Sequence, residues 1–205
     1  YKICSFDIEA SSSHGDFPLA KKNYKRLVDQ LMEYWDSQDI AVQPPKVQED
    51  TLLSILYTAL ELVTHDGSCE KDNVSHISYI DKVYIKRRPQ TDVLETYIDI
   101  CAKESISILR SDSNNEKMNE KLVASFGKHL PAVEGDKVTF VGSTFMRYGE
   151  SEPYLNHCVV LDSCEKSPDV PNYEIESYCD ESDLLVAWKE VIQRENPDFI
   201  IGYNI

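Results

Sequence analysis

Apolar positions recur along this chain with two different periods, and the period changes twice. The opening run Ile3-Cys4-Ser5-Phe6-Asp7-Ile8 is short and apolar and is closed by Ser11-Ser12-Ser13, which predicts a buried strand over residues 2–9. His14 to Pro18 reads as a loop. From Leu19 to about Asp39 the period lengthens: Leu27, Leu31, Tyr34 and Trp35 recur three to four apart, as on one face of a helix. Gln43-Pro44-Pro45 breaks that helix. Leu52, Leu53, Leu56, Leu60 and Val63 then predict a helix from Glu49 to about His65, with Asp50 in its first turn, where the helix dipole favours it. Residues 66–78 read as loop, and Tyr79 to Lys86 as a short strand or a helical turn. Helices are predicted over Thr91–Arg110 and Glu116–Leu130, joined by the polar connector Ser111 to Asn115.

The period of two returns at Lys137. Val138, Phe140, Val141 and Phe145 mark a strand to Arg147, a turn follows at Gly149 to Pro153, and Tyr154 to Leu161 completes a hairpin. Tyr173 to Tyr178 alternates as a third strand. Asp180-Glu181-Ser182-Asp183 is an acidic first turn for the amphipathic helix Leu184 to Ile192, which Asn196-Pro197 ends, and Asp198 to Tyr203 reads as a final buried strand. Setting aside residues 19–135 leaves β-β-β-β-α-β, a compact α/β unit made of residues 1–18 and 136–205. The mainly helical stretch 19–135 is then expected to be an insertion with its own small core. The chain starts and stops inside apolar strands, whose edges need pairing, so it is expected to be a piece of a longer polypeptide.

Composition narrows the class. With 205 residues and 41% apolar side chains the chain can bury a real core, despite 36 acids against 21 bases and a net charge of −15. No apolar run approaches a membrane span and no signal-peptide core is present. The six cysteines form no CxxC pair, which argues for reduced thiols in an intracellular protein and against a structural zinc site. Residues 19–135 carry 15 bases and 19 acids, whereas residues 136–205 carry 5 and 14. So acidic a field suits divalent cations better than duplex phosphates.

Asp7 and Glu9 carry the chemistry. Alternation places both carboxylates on one face of the first strand, about 7 Å apart, with Phe6 and Ile8 on the other. Such a pair repels itself unless a cation intervenes, and hard ions such as Mg²⁺ or Mn²⁺ take oxygen ligands. Two ions roughly 3.5–4 Å apart are the standard device for in-line attack of water on a phosphodiester. Other features are weaker. Lys82, Lys86, Arg87 and Arg88 form a basic cluster that reads as a solvated surface before a DNA contact or a nuclear address. Tyr1, Tyr148, Tyr154, Tyr173, Tyr178 and Tyr203 read as strand packing before stacking platforms, and His14 and a Cys158–Cys164 pairing as incidental.

Ser5-Phe6-Asp7-Ile8-Glu9-Ala10 resembles the first exonuclease motif of family B DNA polymerases. Asn196-Pro197-Asp198-Phe199-Ile200-Ile201-Gly202-Tyr203-Asn204-Ile205 resembles the approach to the second. His14-Gly15-Asp16-Phe17-Pro18 is similar to delta-type and large-DNA-virus polymerases, and the long insertion is similar to polymerases of giant or algal double-stranded DNA viruses. The resemblance implies a ribonuclease H-like 3′→5′ exonuclease core that removes mismatched 3′ nucleotides. It implies Asp7 and Glu9 as catalytic ligands of two Mg²⁺ (or Mn²⁺) ions, and Asn204 and Phe6 as contacts to the single-stranded 3′ end of the primer, although alternation would equally bury Phe6. The remaining carboxylates and the polymerase residues would lie past Ile205, so the chain alone is expected to be inactive. Its expected partners are primer DNA and the rest of the polymerase, with a sliding clamp as a candidate for the insertion. Its expected location is the host nucleus or a cytoplasmic viral factory. The alternatives are a stand-alone two-metal exonuclease and a non-enzymatic acidic α/β interaction module.

Overall fold

A computed structural model describes residues 1–12, 17–63, 71–111, 115–165 and 173–202. The chain divides into two compact units, Tyr1–Ala20 with Asp136–Ile205, and Lys21–Gly135.

The first unit is a mixed α/β structure built on a five-stranded sheet: β1 (Lys2–Ala10), β2 (Val138–Arg147), β3 (Leu155–Leu161), β4 (Tyr173–Tyr178) and β5 (Phe199–Gly202), in the order β4-β3-β2-β1-β5. β1, β2 and β3 form an antiparallel meander, while β4 runs parallel to β3 and β5 parallel to β1. Between β4 and β5 lies one helix, α5 (Glu181–Glu195), numbered after the four of the second unit. Its ends follow from its sequence. The Asp180 carboxylate accepts from the Ser182 N–H at 2.7 Å, and Glu181 and Asp183 occupy the first turn. Asn196 closes it at φ 47° with Pro197 behind it. Leu184, Ala187 and Val191 are its buried stripe. They pack on Cys4, Val141, Phe145, Leu155 and Val159, so the helix covers one face of the sheet. Where the chain leaves and rejoins this unit it is tied to itself. The Asp136 N–H donates to the Leu19 carbonyl at 2.8 Å, and the Leu19 N–H donates to the Asp136 carboxylate at 2.9 Å.

The second unit contains α1 (Lys25–Ser37), a 3-10 turn at Ile40–Val42, α2 (Pro45–Ala59), α3 (Thr91–Leu109) and α4 (Asn115–His129). One core joins them, with Leu31, Trp35, Leu56, Tyr57, Ile98 and Phe126 all buried. Arg88 caps the C-terminus of α2 by donating to the carbonyls of Leu60 and Glu61 at 2.7 and 3.2 Å. Arg110 braces its N-terminus through Gln48 and the Pro45 carbonyl.

Four expectations are corrected. The first helix starts at Lys25, not Leu19, because Leu19 is hydrogen-bonded to Asp136 instead. The second starts at Pro45, inside the expected breaker and not at Glu49; proline lacks an N–H that the first turn does not use. Tyr79–Lys86 is neither strand nor helical turn, since only Ile85 makes a bridge, to Val133. β1 and β5 are not buried strands. Among the described residues only Cys4 of β1 is fully enclosed, and Phe199, Ile200 and Ile201 are each half exposed. Among the described residues no helix is long and apolar enough to cross a membrane.

Candidate active site

β1 lies inside the sheet, antiparallel to β2 on one side and parallel to β5 on the other. Its alternation splits it cleanly. Cys4 and Phe6 point toward α5, where the Phe6 ring lies 5.0 Å from that of Trp188. Ser5, Asp7 and Glu9 belong to the opposite face and are exposed. The two acids therefore share a face. Asp7 stands opposite Gly142 of β2 and Glu9 opposite Phe140, and a bulge follows between Glu9 and Ala10. The Ile8 N–H donates to Asp7 Oδ1 at 3.0 Å, which orients that carboxylate. Thr139 Oγ1 donates to the Glu9 carbonyl at 3.2 Å and pins the backbone beside the bulge.

The space next to Asp7 is kept open by Gly142. A Cβ there would lie 3.0 Å from the Phe140 ring, which leans across the glycine. A groove of about 610 Å³ extends over this part of the sheet, lined by Ser5, Asp7, Thr144, Asn156 and Tyr173 among others. Among the described residues neither Asp7 nor Glu9 forms an ion pair, whereas Asp81, Asp99, Glu61 and Glu49 each pair with a lysine or arginine. The donor set is two hard carboxylates on one open face. That chemistry fits a divalent cation but supplies only part of a coordination shell, and no group of three candidate ligands occurs among the described residues.

The helix side holds a polar network that no local sequence pattern predicts. His157 is fully buried, with Nε2 2.9 Å from Glu176 Oε1. The Tyr178 hydroxyl donates to Glu176 Oε2 at 2.5 Å. Hydrogen bonds from Tyr178 and His157 hold the Glu176 carboxyl below the usual carboxylate range, and the bond to Glu176 pushes the Tyr178 phenol up to about 12. Glu176 and Tyr178 are two apart on β4, but their meeting with His157 depends on the β3–β4 register, which no local pattern reveals. The Trp188 indole N–H donates to Ser143 at 3.0 Å, and burial pushes the neighbouring Cys4 thiol up to about 11. These groups brace the sheet from behind and lie on the face away from Asp7 and Glu9.

Of the site residues named from sequence, Asp7 and Glu9 are brought together. Phe6 lies on the other face against Trp188. Asn204 and His14 lie outside the described residues.

Fold and site together define a mixed α/β domain that presents a carboxylate pair from an inner strand. Comparison with known proteins narrows the class. Residues 122–205 match the family model described as DNA polymerase family B, exonuclease domain. Over its whole length the chain is 26% identical to a DNA polymerase of Phaeocystis pouchetii virus, and over 99% of it 25% identical to one of Pyramimonas orientalis virus. It spans 24% and 18% of those two proteins. A stretch of 76 residues, 37% of the chain, is 39% identical to 7% of the DNA polymerase delta catalytic subunit of Bos taurus. The similarity to the exonuclease domain of family B DNA polymerases is thus carried by residues 122–205. The matched segment contains β2 to β5 and α5, while Asp7 and Glu9 lie before it.

Proposed function

We propose that this chain is part of the proofreading 3′→5′ exonuclease of a DNA-directed DNA polymerase, and that Asp7 and Glu9 are its metal-binding catalytic carboxylates. The observation that carries the reading is their shared open face on β1, held between two strands, β2 and β5, of the matched exonuclease segment. In this reading residues 1–18 and 136–205 are an incomplete ribonuclease H-like core, and residues 19–135 are an insertion into it.

The strand does the positioning. Its pleat holds the two carboxylates about 7 Å apart along the chain and on one face, an oxygen-donor pair that suits hard divalent ions. The bound Mg²⁺ or Mn²⁺ pair would supply an activated water and neutralise charge on the phosphodiester. Asp7, fixed through the Ile8 N–H, and Glu9, fixed beside the bulge, would hold the ions in place. Gly142 leaves room for the scissile phosphate beside Asp7. Phe6 supports the strand from behind by packing on Trp188. Asn204 would contact the frayed 3′ end. Two carboxylates leave the shell incomplete, so the chain by itself would be inactive and the further ligands would come from the rest of an intracellular polymerase. A sliding clamp remains a candidate partner for the insertion.

The test is Asp7→Ala with Glu9→Ala in the full polymerase. We expect excision of a mismatched 3′ nucleotide to be abolished while extension of a matched primer is retained. Excision that survives the double substitution would sink the assignment.

A further inference from the structure

The basic cluster in the second unit sorts into two halves once its partners are known. Residues 79–90 form a strap across that unit. The Val83 N–H donates to the Ala59 carbonyl at 2.7 Å, the Lys86 N–H to the Ala132 carbonyl at 2.9 Å, and the Glu134 N–H to the Tyr84 carbonyl at 2.7 Å. Ile80, Val83 and Ile85 pack on the core. Arg88 serves the end of α2, and Lys82 is paired with Glu61 at 2.7 Å. These two cations have structural work. Lys86 and Arg87 do not: both are exposed, and neither has a partner among the described residues. Between them and Lys82 stands Tyr84, 44% exposed, with the Lys82 ammonium 4.5 Å from its ring centroid.

A half-exposed aromatic ring held on a rigid strap, flanked by unengaged cations, is the arrangement that binds an unpaired base and its adjoining phosphates. A duplex buries its base faces and offers Tyr84 nothing to stack on. The unit as a whole is acidic, so a general attraction to polyanions does not account for the feature. The acid nearest in sequence to Tyr84, Asp81, is already held by Arg26, and Glu61 is held by Lys82. We propose that the Tyr84–Lys86–Arg87 surface is a binding site for single-stranded nucleic acid, separate from the carboxylate pair: Tyr84 stacks on one base, and Lys86 and Arg87 each take one phosphate. The proposal is independent of the exonuclease reading.

Fluorescence anisotropy of labelled dT15 with the full 205-residue chain tests it, at several salt concentrations from 50 mM upward. We expect binding that weakens with salt. Lys86→Glu with Arg87→Glu should lower affinity roughly tenfold or more and flatten the salt slope by about 1.4, from ~0.7 per phosphate contact. Tyr84→Ala should cost roughly fivefold or more, and Tyr84→Phe should restore most of it. Lys103→Glu with Lys117→Glu makes the same change in net charge away from the strap and should leave binding near that of the parent chain. Circular dichroism melts check that each variant is folded. The proposal is overturned if dT15 does not bind at 50 mM salt, if the control pair weakens binding as much as the strap pair, or if a 15-bp duplex binds as tightly as dT15. The anisotropy titration, run without added divalent ion, reads binding, and the assay on the full polymerase reads excision, so failure of the exonuclease reading and failure of this one give different results.

Discussion

At the residue scale the site depends on what is missing as much as on what is present. Gly142 faces Asp7 across the β1–β2 ladder, and a methyl group added there would press on Phe140 at 3.0 and 3.3 Å. The ring is only half buried, so it can move by the few tenths of an ångström required. Alanine also restricts the unfolded chain more than glycine does, which offsets some of the strain. Gly142→Ala is therefore expected to change stability by less than about 1 kcal/mol, as read from urea unfolding. Its effect on the site should be larger, because the methyl group and the displaced ring narrow the space beside Asp7 and Glu9. In the full polymerase, excision should fall clearly while primer extension holds. Unchanged excision in a stable Gly142→Ala enzyme would show that the space opposite Asp7 does not matter.

At the element scale, helix ends and strand faces were legible to different degrees. The acidic first turn of α5, its Leu184–Ala187–Val191 stripe and its Asn-Pro stop all stand in the sequence, and the helix forms where they say, lengthened by a turn at each end. The same alternation argument puts Asp7 and Glu9 on one face, where the β1–β2 register also places them. Burial was less legible. Phe199-Ile200-Ile201 reads as a strand enclosed on both sides, yet the described residues leave it half exposed, because an apolar run reports a capacity for burial and not what covers it. The His157–Glu176–Tyr178 network escaped for another reason: it joins residues through a pairing register that is set by tertiary structure. The α5 cap carries a pH prediction. The hydrogen bonds from Ser182 hold the Asp180 carboxyl below its usual range. A carboxyl depressed in the folded state stabilises above its unfolded pKa and loses that contribution as pH falls through the folded value. Asp180→Ala should therefore lower the melting temperature at pH 7, and the difference from the parent chain should shrink as pH drops below about 4. A difference that stays constant down to pH 2 would mean that the carboxylate charge plays no part in the cap.

At the scale of the whole molecule, two units of different construction share one chain. Residues 21–135 enclose a core drawn from all four helices, and the unit ties its own ends together: the Tyr24 hydroxyl donates to the Pro131 carbonyl at 2.7 Å, and Ile85 bridges to Val133. The sheet unit is covered by α5 on one face and closes its own junction through Leu19 and Asp136. Each unit thus satisfies its boundary hydrogen bonds internally, which is the condition for separate unfolding. The chain carries a reporter for each, since its two tryptophans divide between them: Trp35 is buried in the helical core and Trp188 lies on α5 against Phe6. Trp35→Phe leaves fluorescence from the sheet unit alone, and Trp188→Phe leaves it from the helical unit alone. Phe126 is fully enclosed in the helical core, so Phe126→Ala should destabilise that unit by about 3–5 kcal/mol. In urea titrations the Trp35 signal should shift to lower denaturant, while the Trp188 signal stays where it was. If both signals shift together by the same amount, the two units unfold as one, and the helical stretch is integral to the sheet domain and not an insertion carried on it.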